Sequence, residues 1–113
     1  MRPRRQRRCF MNDITKKIEA FFLANNINVF GTAPASALET ESFGYRPSDV
    51  LPGARSILCL GIPVPRGIFK CVGRAEQMYW RSAAIYYRHI DTMLMQAAVI
   101  IEEQGNTAVP VYG

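Results

Sequence analysis

Between residues 12 and 25 the chain carries Ile14, Ile18, Phe21 and Phe22 at helical spacing, with Lys16, Lys17 and Glu19 on the opposite side. This periodicity predicts an amphipathic first helix, opened by Asn12 as its N-cap residue. Asn25-Asn26 suits its end, because Asn tolerates the left-handed backbone that closes helices. Residues 27–32 then read as a short strand. Residues 33–44 mix small, acidic and turn-forming types and predict a connection holding one helical turn around residues 35–40. Pro47 and Pro52 limit any helix between them to a single turn, and Pro52-Gly53 marks a turn into the next segment.

Residues 56–62, Ser-Ile-Leu-Cys-Leu-Gly-Ile, form a nearly continuous apolar run. That pattern predicts a strand covered on both faces. Pro63 and Pro65 stop it, and residues 66–73 form a loop with Gly67 and Gly73 as flexible points. From about residue 75 to 104, Tyr79, Ala83, Tyr86, Ile90, Leu94, Ala97 and Ile101 trace one stripe of a long helix, with Gly105 at its C-terminal cap. Residues 107–112 read as a further strand. Strand, helix, strand implies a right-handed crossover. The expected fold is therefore α/β: a small, mostly parallel sheet of about three strands with two main helices, and a domain that looks incomplete, since parallel strands need helices on both faces.

A length of 113 residues supports one domain, and 49% hydrophobic with 20% charged residues is the composition of a globular chain. The formal charge of +5 is local in origin. Arg2, Arg4, Arg5, Arg7 and Arg8 precede Met11 with no acid among them, whereas the remaining nine Lys and Arg are balanced by nine Asp and Glu. Residues 1–11 therefore divide from a single α/β domain at 12–113. Two readings of the basic stretch compete: a disordered arm that grips phosphates, or an upstream stretch translated from a start placed too early, with Met11 the natural beginning. The second is favoured by the helix opening at residues 11–13. Nucleic-acid binding is not expected of the neutral body. The arginines do not lead into an apolar segment, and no apolar run approaches the ~20 residues of a bilayer span, so a cytoplasmic protein is expected.

No complete catalytic or metal-binding constellation is present in the sequence. There is no Gly-rich phosphate loop and no nucleophile elbow. Cys9, Cys59 and Cys71 stand at wide, unrelated spacings. Cys59, inside the apolar strand, reads as a small buried hydrophobe. The only histidine, His89, has no carboxylate or cysteine three or four residues away to orient it. Tyr79-Trp80-Arg81 and Tyr86-Tyr87-Arg88 interleave aromatics with cations at a seven-residue repeat, either to stack nucleobases or, the favoured reading, as core stripe with snorkelling arginines. In the loop after the apolar strand, Arg66 and Lys70 lie where open α/β sheets place ligands and are the candidate cofactor-binding residues, set against an ordinary solvated loop.

Residues 51–63, Leu-Pro-Gly-Ala-Arg-Ser-Ile-Leu-Cys-Leu-Gly-Ile-Pro, resemble the N-terminal region of epoxyqueuosine reductase-like iron–sulfur proteins. There a Pro-Gly-Ala-Arg-Ser turn feeds a hydrophobic strand ending in glycine. The order of elements is similar from about residue 14 to 113, including a long tyrosine-rich helix closed by glycine. The resemblance implies a redox enzyme with a cobalamin-binding α/β domain and a C-terminal ferredoxin-like domain holding two [4Fe–4S] clusters, acting on a modified base in transfer RNA. Pro63-Val64-Pro65 departs from the asparagine-tyrosine usual at this point in the transfer-RNA enzymes. The cluster-binding Cys-x-x-Cys-x-x-Cys-x-x-x-Cys-Pro run is absent from residues 1–113, so no catalytic residue carries over and no cofactor is expected on this chain alone. The expectation is an N-terminal scaffold fragment of such an oxidoreductase, partnered by the missing ferredoxin-like domain. The alternative is a stand-alone, non-catalytic α/β module that covers its open sheet edge by homodimerisation.

Overall fold

The computed structural model describes the backbone of residues 4–112 and the side chains of residues 13–112. Helix α1 spans Arg4–Ala24. It begins upstream of the expected cap, so Asn12 lies within the helix. Arg and Gln are good helix formers, and the stretch before Met11 is composed largely of them. Residues 1–3 of the basic stretch lie outside the described residues.

The end of α1 is where local sequence and core formation meet. Asn26 adopts φ 61°. The Ile27 N–H then bonds back to the Phe22 carbonyl at 2.8 Å and the Asn26 N–H to that of Leu23 at 3.2 Å, which is the Schellman arrangement. The Asn25 side-chain amide donates to the Phe21 carbonyl at 2.8 Å. This closure folds Ile27 onto Phe22, and these two are the largest fully buried side chains. With Ile18, Met93 and Ala97 they make the core, and Phe30, Leu58, Leu60 and Ile62 pack against it.

Strand β1 covers Val29–Pro34 and strand β2 Ser56–Gly61. They pair antiparallel, with Phe30 opposite Leu60 and Thr32 opposite Leu58. Between them lie a 3-10 turn at Ala35–Leu38 and the single-turn helix α2 at Pro47–Val50. Both prolines act as expected. Pro47 opens α2, and Pro52-Gly53 makes the turn into β2, with Gly53 at φ 81° and the Ala54 N–H bonded to the Leu51 carbonyl at 3.0 Å. After β2 a 3-10 turn at Arg66–Lys70 leads into helix α3, Ala75–Glu103. Helix α3 is unbroken and closes on Gly105 at φ 87°.

The expected parallel sheet of about three strands is therefore corrected. Among the described residues the sheet has two strands, antiparallel, and residues 107–112 form no strand. The parallel expectation took α3 as a crossover between β2 and a strand at 107–112. Instead β2 returns alongside β1, and the last segment, which lacks a donor at Pro110, joins no ladder. The fold is a small mixed α/β arrangement with α1 and α3 on one face of the ribbon.

This geometry leaves much of the chain uncovered. Helix α3 has 29 residues and is about 43 Å long, whereas six-residue strands reach only about 20 Å. The sheet can back half of the helix. The accessible surface of 8894 Å² compares with about 6,200 Å² for a compact chain of this mass, and the radius of gyration of 17.1 Å with roughly 13 Å.

Candidate interaction surface

Strand alternation divides the ribbon into two faces. Phe30, Leu58 and Leu60 point to the core, so Val29, Gly31, Ala33, Ile57 and Cys59 occupy the other side. No element covers that side among the described residues. Val29 is 57% exposed and Cys59 is also exposed, which corrects the expectation of a buried cysteine. The apolar run in residues 56–62 was read as covered twice, but it is covered once. Each strand also has one edge without a β partner.

The approach to β2 is held by a polar network. The Asp49 carboxylate accepts the Gly44 N–H at 2.8 Å, the Arg46 N–H at 3.1 Å, and hydrogen bonds from Nε and Nη2 of the Arg46 guanidinium, each at 3.0 Å. The hydrogen bond from Arg46 holds the Asp49 carboxyl at about 2, below its ordinary range and against the opposing effect of desolvation. The Arg46 guanidinium is raised in turn and lies 5.3 Å over the Phe43 ring. Ser48 donates its hydroxyl to Glu39 at 2.9 Å. Together these bonds fix residues 39–51, the connection that leads into the turn before β2.

Arg66 and Lys70 lie at the two ends of the 3-10 turn after β2, both exposed. A shallow depression nearby is lined by Gly73, Arg74, Ala75, Glu76, Gln77 and Trp80, and includes neither of them. What this region does assemble is a row of rings. Phe69 lies 5.9 Å from Tyr79, which meets Trp80 edge-on at 5.8 Å. The expected core stripe of α3 is right at Ala97 and misses Met93, the other buried residue of the helix. Trp80 (64%) and Tyr87 (54%) are exposed, so these members of the aromatic repeat are not core. They lie in the N-terminal half of α3, whereas the buried Met93 and Ala97 lie in its C-terminal half.

The described residues offer little to a metal. Cys59 and Cys71 are free and no group of three or more His, Cys, Asp or Glu converges. An iron–sulfur cluster takes four thiolates, so the described residues do not fit one by themselves. No helix among the described residues is long and apolar enough to cross a membrane. His89 is exposed on α3. Comparisons with protein-family models, with curated proteins and with solved structures give no match.

Proposed function

We propose that the chain is an N-terminal scaffold portion of an epoxyqueuosine reductase-like iron–sulfur oxidoreductase, working in the cytoplasm. The cluster-binding cysteines and the catalytic segment belong to a part outside these 113 residues. The observation that carries the reading is the one-sided ribbon. Its apolar far face and two free edges are built like the interior of a larger domain, and an exposed apolar face of this kind marks an interaction site. The resemblance at residues 51–63 supports the choice of that other part, since it implies a cysteine-rich ferredoxin-like unit following the α/β portion. In this reading residues 44–55 set the angle at which β2 enters the sheet. Cobalamin and the [4Fe–4S] clusters would be held by that other part, with this chain forming a wall beside them.

Reading the nucleotide sequence after the codon for Gly113 in all frames tests the proposal. A Cys-x-x-Cys-x-x-Cys-x-x-x-Cys-Pro run there is the expected result. A stop codon followed by unrelated sequence would remove the oxidoreductase reading and leave a stand-alone module.

A further inference from the structure

Helix α3 turns Met93 and Ala97 toward the core. On its opposite side Ile85 (68%), Met95 and Val99 are exposed. Exposed apolar residues on the side opposite the core stripe give the helix a second surface for packing. The outward residues fall on a seam of alternating three and four residues, Ile85, Arg88, Thr92, Met95 and Val99, the spacing that lets one helix pack along another. We propose that this seam pairs, antiparallel, with the same seam of a second copy of the chain.

The charges select the occupant and its direction. Arg81 and Arg88 lie in the N-terminal half of α3, and Glu102 and Glu103 end it. A parallel pairing sets Arg81 beside Arg81 and Glu103 beside Glu103, whereas an antiparallel pairing brings Arg81 of each copy toward Glu103 of the other. Exposed opposite charges add little affinity, but they discriminate between orientations.

The spacing also places the two-fold axis. Ile85 and Val99 each lie seven residues from Thr92, and Arg81 and Glu103 each lie eleven. Thr92 therefore meets its own copy, Ile85 meets Val99, and Arg81 meets Glu103. Thr92 suits the axis because its hydroxyl already donates to the Arg88 carbonyl at 2.9 Å, so closing the interface strands no donor. A standard interface takes about 800 Å² from each partner, and the chain as a whole exposes about 2,700 Å² more than a compact chain of its mass. This pairing uses only residues of this chain, on the side of α3 away from the ribbon, and stands independently of the oxidoreductase proposal.

Sedimentation equilibrium of the full chain, with oxidative cross-linking in a background where Cys9, Cys59 and Cys71 are serine, tests it. The expected results are a concentration-dependent dimer, self-linking of Thr92→Cys, no self-linking of Ile85→Cys or Val99→Cys, and linking when those last two are mixed. Ile85→Glu should weaken the dimer at least tenfold with helicity unchanged, since the side chain is exposed. Arg81→Glu should weaken it and Arg81→Glu with Glu103→Arg should restore it, a readout that does not depend on Ile85. A monomer at every concentration would overturn the proposal, as would a dimer insensitive to Ile85→Glu or self-linking at Ile85, which would mean a parallel pair or another surface.

Discussion

Phe22 is 0% exposed, follows Phe21 in α1 with ring centroids 5.6 Å apart, and meets the Phe30 ring at 5.3 Å. It is also the residue on which Ile27 closes through the Schellman bonds, so it joins α1, β1 and the helix end. Truncating a buried Phe to Ala costs about 3–5 kcal/mol through lost transfer energy and the cavity left behind. A chain of 113 residues has about 6–17 kcal/mol of stability by ordinary per-residue values. Among the described residues six apolar side chains are buried, Ala35 besides the five of the core cluster, which places this one toward the low end. Phe22→Ala should therefore remove most of the stability. Urea unfolding followed by far-ultraviolet circular dichroism should show the midpoint falling by about 2–3 M, taking an m value of about 1.5 kcal/mol/M. Phe22→Leu, which keeps most of the volume, should cost about 1 kcal/mol and keeps the measurement usable if the alanine variant does not fold. Trp80→Ala, at an exposed site, should stay within about 0.5 kcal/mol. A Phe22→Ala midpoint within about 0.5 M of the parent would refute this account of the core.

At the close of α1, Asn26→Ile should destabilise by about 1–2 kcal/mol because a β-branched residue is strained at positive φ, whereas Asn26→Gly should be neutral or stabilising; the same urea titration reads both. The Asp49 carboxyl is depressed in the folded chain, so its contribution to order is complete above the ordinary carboxylate pKa near 3.8 and is lost as pH falls through about 2. Amide exchange at Gly44 and Arg46 should therefore accelerate, relative to the core amides, as pH drops from about 4 to 2, and Asp49→Ala should remove that dependence. Cys59 lies on the uncovered face of the ribbon, so alkylation followed by peptide mass spectrometry should label it in the folded chain at close to its rate in urea; strong protection in the isolated monomer would show that this face is covered.

Local chemistry was legible where it decides structure by itself. Asn26, Pro47, Gly53 and Gly105 act at the positions the sequence marks, because positive φ and the missing proline donor are properties of single residues. Sheet direction was not legible. The segment between β1 and β2 is long enough to return the chain either way, and a helix between two apolar segments makes a crossover only when the second one pairs. The alternation of Leu58 and Leu60 with Ile57 and Cys59 is invisible by hydropathy, since all four are apolar, and only the packed helices distinguish the faces. Trp80 and Tyr87 share a side of α3 by spacing, but spacing does not say whether a neighbour lies there. The position of Arg66 and Lys70 after the strand was readable; what surrounds them depends on the turn that α3 imposes at Phe69 and Tyr79.

Hydrogen exchange at β1 and β2 tests the proposed docking role of the ribbon most directly. It should be measured in this chain and, where the sequence after Gly113 continues in frame as proposed, in the longer polypeptide. The account predicts fast exchange at the outward-facing amides of both strands in the chain alone, and protection of at least tenfold along the newly covered edge, with Cys59 shielded, in the longer protein. Equal exchange in the two would contradict it, because the ribbon would then be a finished surface and not the docking side of a scaffold.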